Sequence, residues 1–222
     1  MAWKGSCWSF VLLSVCISIS GSTVKKDSPT QLFEEDEQYY CYQNAMEAVG
    51  IDGRIYVKIQ NFNATLPPLC DSAQRMEKHS DTHYIFELAA VVPIPNMTVI
   101  VKFNTSLDLS KTGKHSDYNA MTYRYTTFEN AKLRKLMYLS PKNDCMIFVD
   151  DRNSTDHARC QLLQPAQFAN DTIPSDCDNV YRANCPGPLN LTVYQPWCQS
   201  LPEITVEQLN RMMTTTPAPN EC

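Results

Sequence analysis

Ten cysteines and four histidines carry most of the reactive chemistry in this 222-residue chain. Cys7 and Cys16 fall in the first 22 residues. The remaining eight are Cys41, Cys70, Cys145, Cys160, Cys177, Cys185, Cys198 and Cys222. An even number without a Cys-x-x-Cys pair reads as a disulfide set rather than a metal site. Five of the eight lie between Cys145 and Cys198, so the C-terminal half is the stapled half. His79 and His83 are four apart, a spacing that would suit a metal on a helix. The segment MEKHSDTHY instead reads as strand–turn–strand, with both rings facing solvent, so no metal is expected. Asp150 and Asp151 have the types of an acid–base pair, but beside Arg152 and Asn153 they read as a hairpin turn. There is no glycine-rich phosphate loop, HExxH, Gly-x-Ser-x-Gly or EF-hand loop, and only six glycines. These readings predict no enzyme, no catalytic residue and no cofactor. A secreted hydrolase is the weakest alternative, because no nucleophile–base pair can be named.

A second kind of chemistry is marked by Asn-x-Ser/Thr. Six such sequons occur, at Asn63, Asn96, Asn104, Asn153, Asn170 and Asn190, where chance would give about two. Each requires an exposed acceptor, and all six fall at or beside predicted turns or strand ends. The N-terminus agrees with a lumenal route. Lys4 precedes the apolar run Trp8 to Ile19, and Ser18, Ser20 and Ser22 have the small-residue spacing of a cleavage site. Residues 1–22 are therefore read as a secretory signal, and the mature protein as secreted and extracellular. Removing the signal takes one of 19 basic residues and none of 24 acidic ones, leaving a net charge of −6. That surface argues against nucleic-acid and anionic-membrane partners. The one other apolar stretch, Leu88 to Phe103, is interrupted by Pro93, Pro95 and Lys102.

Roughly 200 remaining residues suit one domain with a real core. Residues 23–37 read as a loose polar arm, 38–213 as the domain and 214–222 as a tail. A short helix is predicted over Gln38 to Gly50. The period then changes to two: in Arg54 to Asn61, Ile55, Val57 and Ile59 share one face, and Arg54, Tyr56, Lys58 and Gln60 the other. Strand-like runs follow at about 70–77, 82–92, 97–108, 119–128, 134–139, 144–150 and 157–163, separated by turn-rich spacers. No helices lie between them, which excludes a parallel α/β sheet. The expected fold is mainly β: an eight-stranded antiparallel barrel, with a sandwich as the physically similar competitor. Hairpin-like spacing favours the barrel. Two helical stretches close the sequence, one from Pro174 carrying Cys177, Tyr181 and Cys185 on one face, the other over Pro202 to Met213. Both would pack outside the barrel.

From Cys145 onward the chain resembles a known family. The residues are Cys145-Met-Ile-Phe-Val, Cys160-Gln-Leu-Leu, Pro174-Ser-Asp-Cys177-Asp-Asn-Val-Tyr181-Arg-Ala-Asn-Cys185 and Tyr194-Gln-Pro-Trp-Cys198. This is similar to the C-terminal half of the tick salivary lipocalins, the histamine-binding-protein family. Upstream, AMEAVGIDGRIYVKIQNFN followed by Cys70 is similar to the family's first helix, first strand and second-strand cysteine. The resemblance implies a lipocalin-like barrel with a packed helix, secretion into a host's feeding lesion and capture of small inflammatory mediators. It also implies the pairs Cys70–Cys198 and Cys145–Cys177. The pairing of the other four stays open, with Cys160–Cys185 and Cys41–Cys222 as the arrangement that would tie the last strand to the helix and join the two ends. One departure matters. Where amine-binding members carry Asp, Glu and Trp, this chain has Met146, Gln161 and Leu163. A buried ammonium needs a carboxylate partner, so an apolar mediator becomes as good a candidate as histamine.

Two functions follow as expectations. The first is sequestration of a small molecule in the barrel, either a biogenic amine such as histamine or serotonin, or a lipid such as a leukotriene. The second is the same barrel used as a protein-binding inhibitor of host complement, protease or immune function. Along THYIFELAAVV, one alternating set is Tyr84, Phe86 and Leu88, and the other Ile85, Glu87 and Ala89. An inward Glu87 would pair with a cationic ligand or with Arg124. An outward Glu87 leaves Tyr84, Phe86 and Leu88 as lining, joined by Tyr123, Tyr125 and Phe148. The loss of acids at Met146 and Gln161 favours the aromatic lining.

Overall fold

A computed structural model describes residues 31–64, 67–94 and 97–214. The expected signal over 1–22, most of the expected arm, the sequon at Asn96, Cys222 and nearly all of the tail lie outside the described residues. Eight antiparallel strands form the wall: β1 (Arg54–Gln60), β2 (Ser72–Lys78), β3 (His83–Ile94), β4 (Met97–Ser110), β5 (Ala120–Tyr123), β6 (Lys132–Leu139), β7 (Met146–Asp150) and β8 (Cys160–Pro165). Neighbours in sequence pair in order. β8 then pairs with β1, and β4 with β5, so the sheet closes on itself. This is a barrel and not a sandwich.

Chain direction fixes the two ends. Hairpins 79–82, 111–119 and 140–145 share one end with α1 (Ala45–Gly50). α1 is capped by Asn44, whose side chain accepts from the Met46 amide at 3.0 Å. It buries Ala45, Ala48 and Val49 inside the wall, as the floor. The connections 61–71, 124–131 and 151–159 lie at the opposite end, the mouth.

Three apolar clusters explain why the later strands look hydrophobic on both faces. The first fills the barrel with Ile55, Val57, Phe86, Leu107, Met121, Leu136, Met146, Phe148 and Leu163. The second lies outside, where α2 (Ser175–Asn184) covers Met137, Ile147, Val149 and Leu162 with Cys177, Tyr181 and Cys185. The third lies where the segment around Tyr194 and Cys198 covers Tyr56, Val91 and Ile100. Disulfides Cys70–Cys198, Cys145–Cys177 and Cys160–Cys185 tie these outer layers to the wall. They include both pairs that the resemblance implies, and they place Cys160 with Cys185. Cys41 is exposed, and its suggested partner Cys222 is not described.

Several elements differ from their sequence reading. The arm is not loose from residue 33 onward: a 3-10 turn over Phe33–Glu35 buries Glu34 completely. Arg152 grips that carboxylate at 2.7 and 2.9 Å, which offsets its desolvation. The helix expected over 38–50 is a 3-10 turn (Glu37–Tyr42) followed by α1. The strand expected over 119–128 ends at Tyr123. The helix expected from Pro202 begins at Val206 (α3, Val206–Thr214). It follows β10 (Glu203–Thr205), which runs parallel to β4, while β9 (Leu191–Thr192) adds to β1. Asn104 was expected near a turn or strand end and instead sits mid-strand in β4, exposed.

Candidate functional site

The site is the inside of the barrel. A cavity of about 50 Å³ lies above α1, lined by Ala48 and Val49 of the floor and by Ile55, Ala73, Leu107, Met121, Met146 and Leu163 of the wall, with Phe86, Leu88, Tyr123 and Phe148. The last four are among the residues singled out from sequence. Register explains their company: Leu107 is opposite Tyr123, Met121 is opposite Arg134, and Phe148 is opposite Leu136 and Gln161. Residues opposite one another share a face.

Three candidates are placed differently. Tyr84 faces inward and is buried, but it lies below the cavity, and its hydroxyl donates to the Asp81 carbonyl at 3.0 Å. Tyr125 is at the mouth, on the β5–β6 connection. Glu87 does not face the cavity. It faces outward in register with Gln74 and Asn104, and pairs with Arg54 at 3.0 Å and Lys102 at 3.2 Å instead of with Arg124. Its low exposure comes from Glu203 of β10, which shares both cations. The other candidate chemistry also resolves into structure. His79 and His83 close the β2–β3 hairpin, and His83 meets Asp108 at 2.6 Å. Asp150 binds Arg134 and Arg159, and Asp151 binds Lys135.

What sequence reasoning missed is a polar cluster across the mouth. Arg134 is 4% exposed. Its Nε donates to Asp150 at 2.9 Å, and its Nη1 to the Tyr123 hydroxyl at 2.9 Å and Gln161 Oε1 at 2.7 Å. Gln161 donates onward to Gln60 Oε1 at 2.8 Å and to the Tyr125 hydroxyl, which donates to Asp71 at 3.3 Å. Burial opposes the charge of Arg134, but Tyr123 and Asp150 hold it protonated. Burial also pushes the Asp71 carboxyl up to about 6, against the opposing hydrogen bonds from Tyr125 and the Leu69 backbone. Gln60 reaches this cluster because β1 bulges between Val57 and Ile59. The bulge turns Gln60 inward and Ile59 outward under α2, the reverse of the strict alternation expected. A lone arginine amid LRKLMYL, two residues before an inward leucine, was the available signal for Arg134.

An apolar cup with a helical floor and a polar mouth is the build of a lipocalin. The solved structures agree on the fold. Japanin from Rhipicephalus appendiculatus, in a structure with cholesterol, is 11% identical, covering 65% of this chain and 95% of Japanin with a TM-score of 0.50. Insecticyanin from the tobacco hornworm Manduca sexta is 9% identical, covering 74% of this chain and 90% of its own, at 0.52. Apocrustacyanin C2 is 9% identical, covering 74% and 87%, at 0.51. A search of curated protein sequences gave no match. The tick histamine binding protein family matches residues 33–200. The chain belongs to that family, a family of small-ligand-binding lipocalins. Among the described residues no helix is long and apolar enough to cross a membrane.

Proposed function

We propose that this chain is a secreted salivary lipocalin that holds one small host mediator in its barrel, with an apolar body preferred over a biogenic amine. One observation carries the preference: among the described residues no carboxylate lines the cavity. Met146 and Leu163, at two of the three positions where amine-binding members carry Asp, Glu or Trp, form its wall, and Gln161 at the third is neutral and bound to Arg134. An ammonium placed there would be a buried charge without a counter-ion, which is strongly disfavoured. Capture is stoichiometric, so affinity and abundance matter rather than turnover.

At about 50 Å³ the cavity is well below the roughly 300–1,000 Å³ of a drug-sized ligand site. A mediator must therefore open it. Met121 and Met146 supply the flexible, unbranched side chains that allow this. Exposure of Phe128 at 96%, on the rim connection 124–131, favours a second reading, a protein contact through the mouth loops. Sequons at exposed Asn63 and Asn153, on two other mouth connections, oppose a broad contact there.

Native mass spectrometry of the full chain secreted from eukaryotic cells tests the proposal. A co-purified small apolar molecule, on a chain whose N-terminus starts just after Ser20 or Ser22, is expected. An empty barrel that acquires no such molecule from inflamed tissue fluid would contradict it.

A further inference from the structure

The mouth cluster is unbalanced in a way that the fold does not need. The guanidinium of Arg134 has five N–H donors. Nε and Nη1 are used, but Nη2 is sealed from solvent and has no hydrogen-bond partner among the described residues. An orphaned donor on a buried cation is costly, more so than on a neutral group. The charges do not cancel either. Asp150 is the carboxylate that touches Arg134, and it also takes Arg159 at 2.9 Å, so two guanidiniums share one acid. Asp71 is the next acid, reached only through the Tyr125 hydroxyl. Gln161, which faces the same guanidinium, is neutral and is already committed to Gln60 and Tyr125. Two guanidiniums thus share the one carboxylate bonded to Arg134, and one edge of Arg134 is unused. Tyr123 belongs both to the cavity lining and to the hydrogen bonds of Arg134, so the two are continuous.

We infer that the mouth is an acid-head subsite: Arg134 receives through Nη2 the carboxylate of an amphiphile whose apolar body occupies the cavity. The inference rests on the apolar-cavity reading above and specifies the head group that goes with it. A carboxylate there completes the donor set of Arg134 and brings the Arg134–Asp150–Arg159 group to neutrality. Tyr125, whose ring lies 5.7 Å from the guanidinium carbon, is carried by the connection 124–131 and is the side chain that must shift to admit the head. A protonated amine at that edge would meet the Arg134 guanidinium and be repelled.

The test compares three ligands of one chain length, oleate, methyl oleate and oleylamine, by competition on the full-length secreted protein. Wild type should bind oleate at least tenfold more tightly than methyl oleate, and oleylamine most weakly. Arg134→Gln should bind oleate and methyl oleate within about twofold of each other, with methyl oleate affinity kept. Gln161→Glu, which places a built-in carboxylate 2.7 Å from Nη1 and keeps Arg134 paired, should lose the preference in the same way, with circular dichroism and the thermal midpoint checking that each variant is folded. Equal binding of acid and ester by wild type, or a preference surviving in either variant, overturns the inference and leaves the apolar cavity standing. Binding of neither lipid removes both.

Discussion

Asp71 stands at the edge of an apolar cup, bonded to the Tyr125 hydroxyl and the Leu69 backbone, and burial dominates its energetics. Its carboxyl titrates at about 6, raised from 3.8 by burial. The folded state therefore binds more protons than the unfolded chain between those values, and stability falls as pH rises through that window. The stabilisation is fully present below about 4 and lost above about 6. Discounted for partial exposure, it amounts to about 1 kcal/mol. Asp71→Asn should raise the thermal midpoint at pH 7.5 relative to wild type, with the difference shrinking as pH is lowered from 6 to 4, followed by calorimetry at several pH values. A constant difference across that range would show that Asp71 is solvated. At this scale the sequence was legible for side chains that alternate cleanly: Phe86, Leu88, Tyr123 and Phe148 reach the cavity as expected. For Glu87 the favoured outward position is the one found, but its ion partners Arg54 and Lys102 were not legible. Nothing in the local pattern records β10 lying alongside.

Elements set the depth and rigidity of the cup. α1 is only six residues long and is held as a floor by its buried alanines, by Ala45 N–H donating to the Tyr118 carbonyl, and by Arg75 donating to the Val49 carbonyl at 2.8 Å. Ala48 is 2% exposed and lines the cavity. Ala48→Phe should occupy that space at a cost of about 1–3 kcal/mol, leave the circular dichroism unchanged and abolish binding of an apolar ligand. Retained binding would place the ligand elsewhere. Cys70–Cys198 closes 128 residues and pins the start of β2 to the outer segment. Replacing both with alanine should cost about 2–5 kcal/mol in denaturant midpoint analysis, and a change near zero would mean that apolar packing around Tyr56 and Ile100 holds that layer alone. The strand series was readable because spacers such as PKND and SKTGKHSD punctuate it. Bulges in β1, β2 and β6 were not, since each inverts the parity that alternation depends on. That inversion carried Gln60 into the mouth.

The whole molecule is a stapled barrel carrying exposed sequons, in which binding, rather than chemistry, is the activity supported. Five sequon asparagines are described, and all five are exposed. Enzymatic deglycosylation of protein from eukaryotic cells should lower the apparent mass by several glycans, and no change would separate this chain from a secretory route. Closure of the barrel was legible as a class from eight hairpin-linked strands. The polar mouth was not, because it is assembled from Gln60, Asp71, Tyr123, Arg134, Asp150 and Gln161, which lie on six different strands or their ends and are unremarkable one by one. The claim that the barrel takes an apolar mediator in preference to an amine is tested most directly by calorimetric titration with histamine, serotonin and a leukotriene. The account predicts one-to-one binding of the leukotriene, lost in Ala48→Phe, with neither amine competing for it. Tight one-to-one binding of histamine or serotonin, weakened in Asp71→Asn, with no heat from the leukotriene, would contradict it.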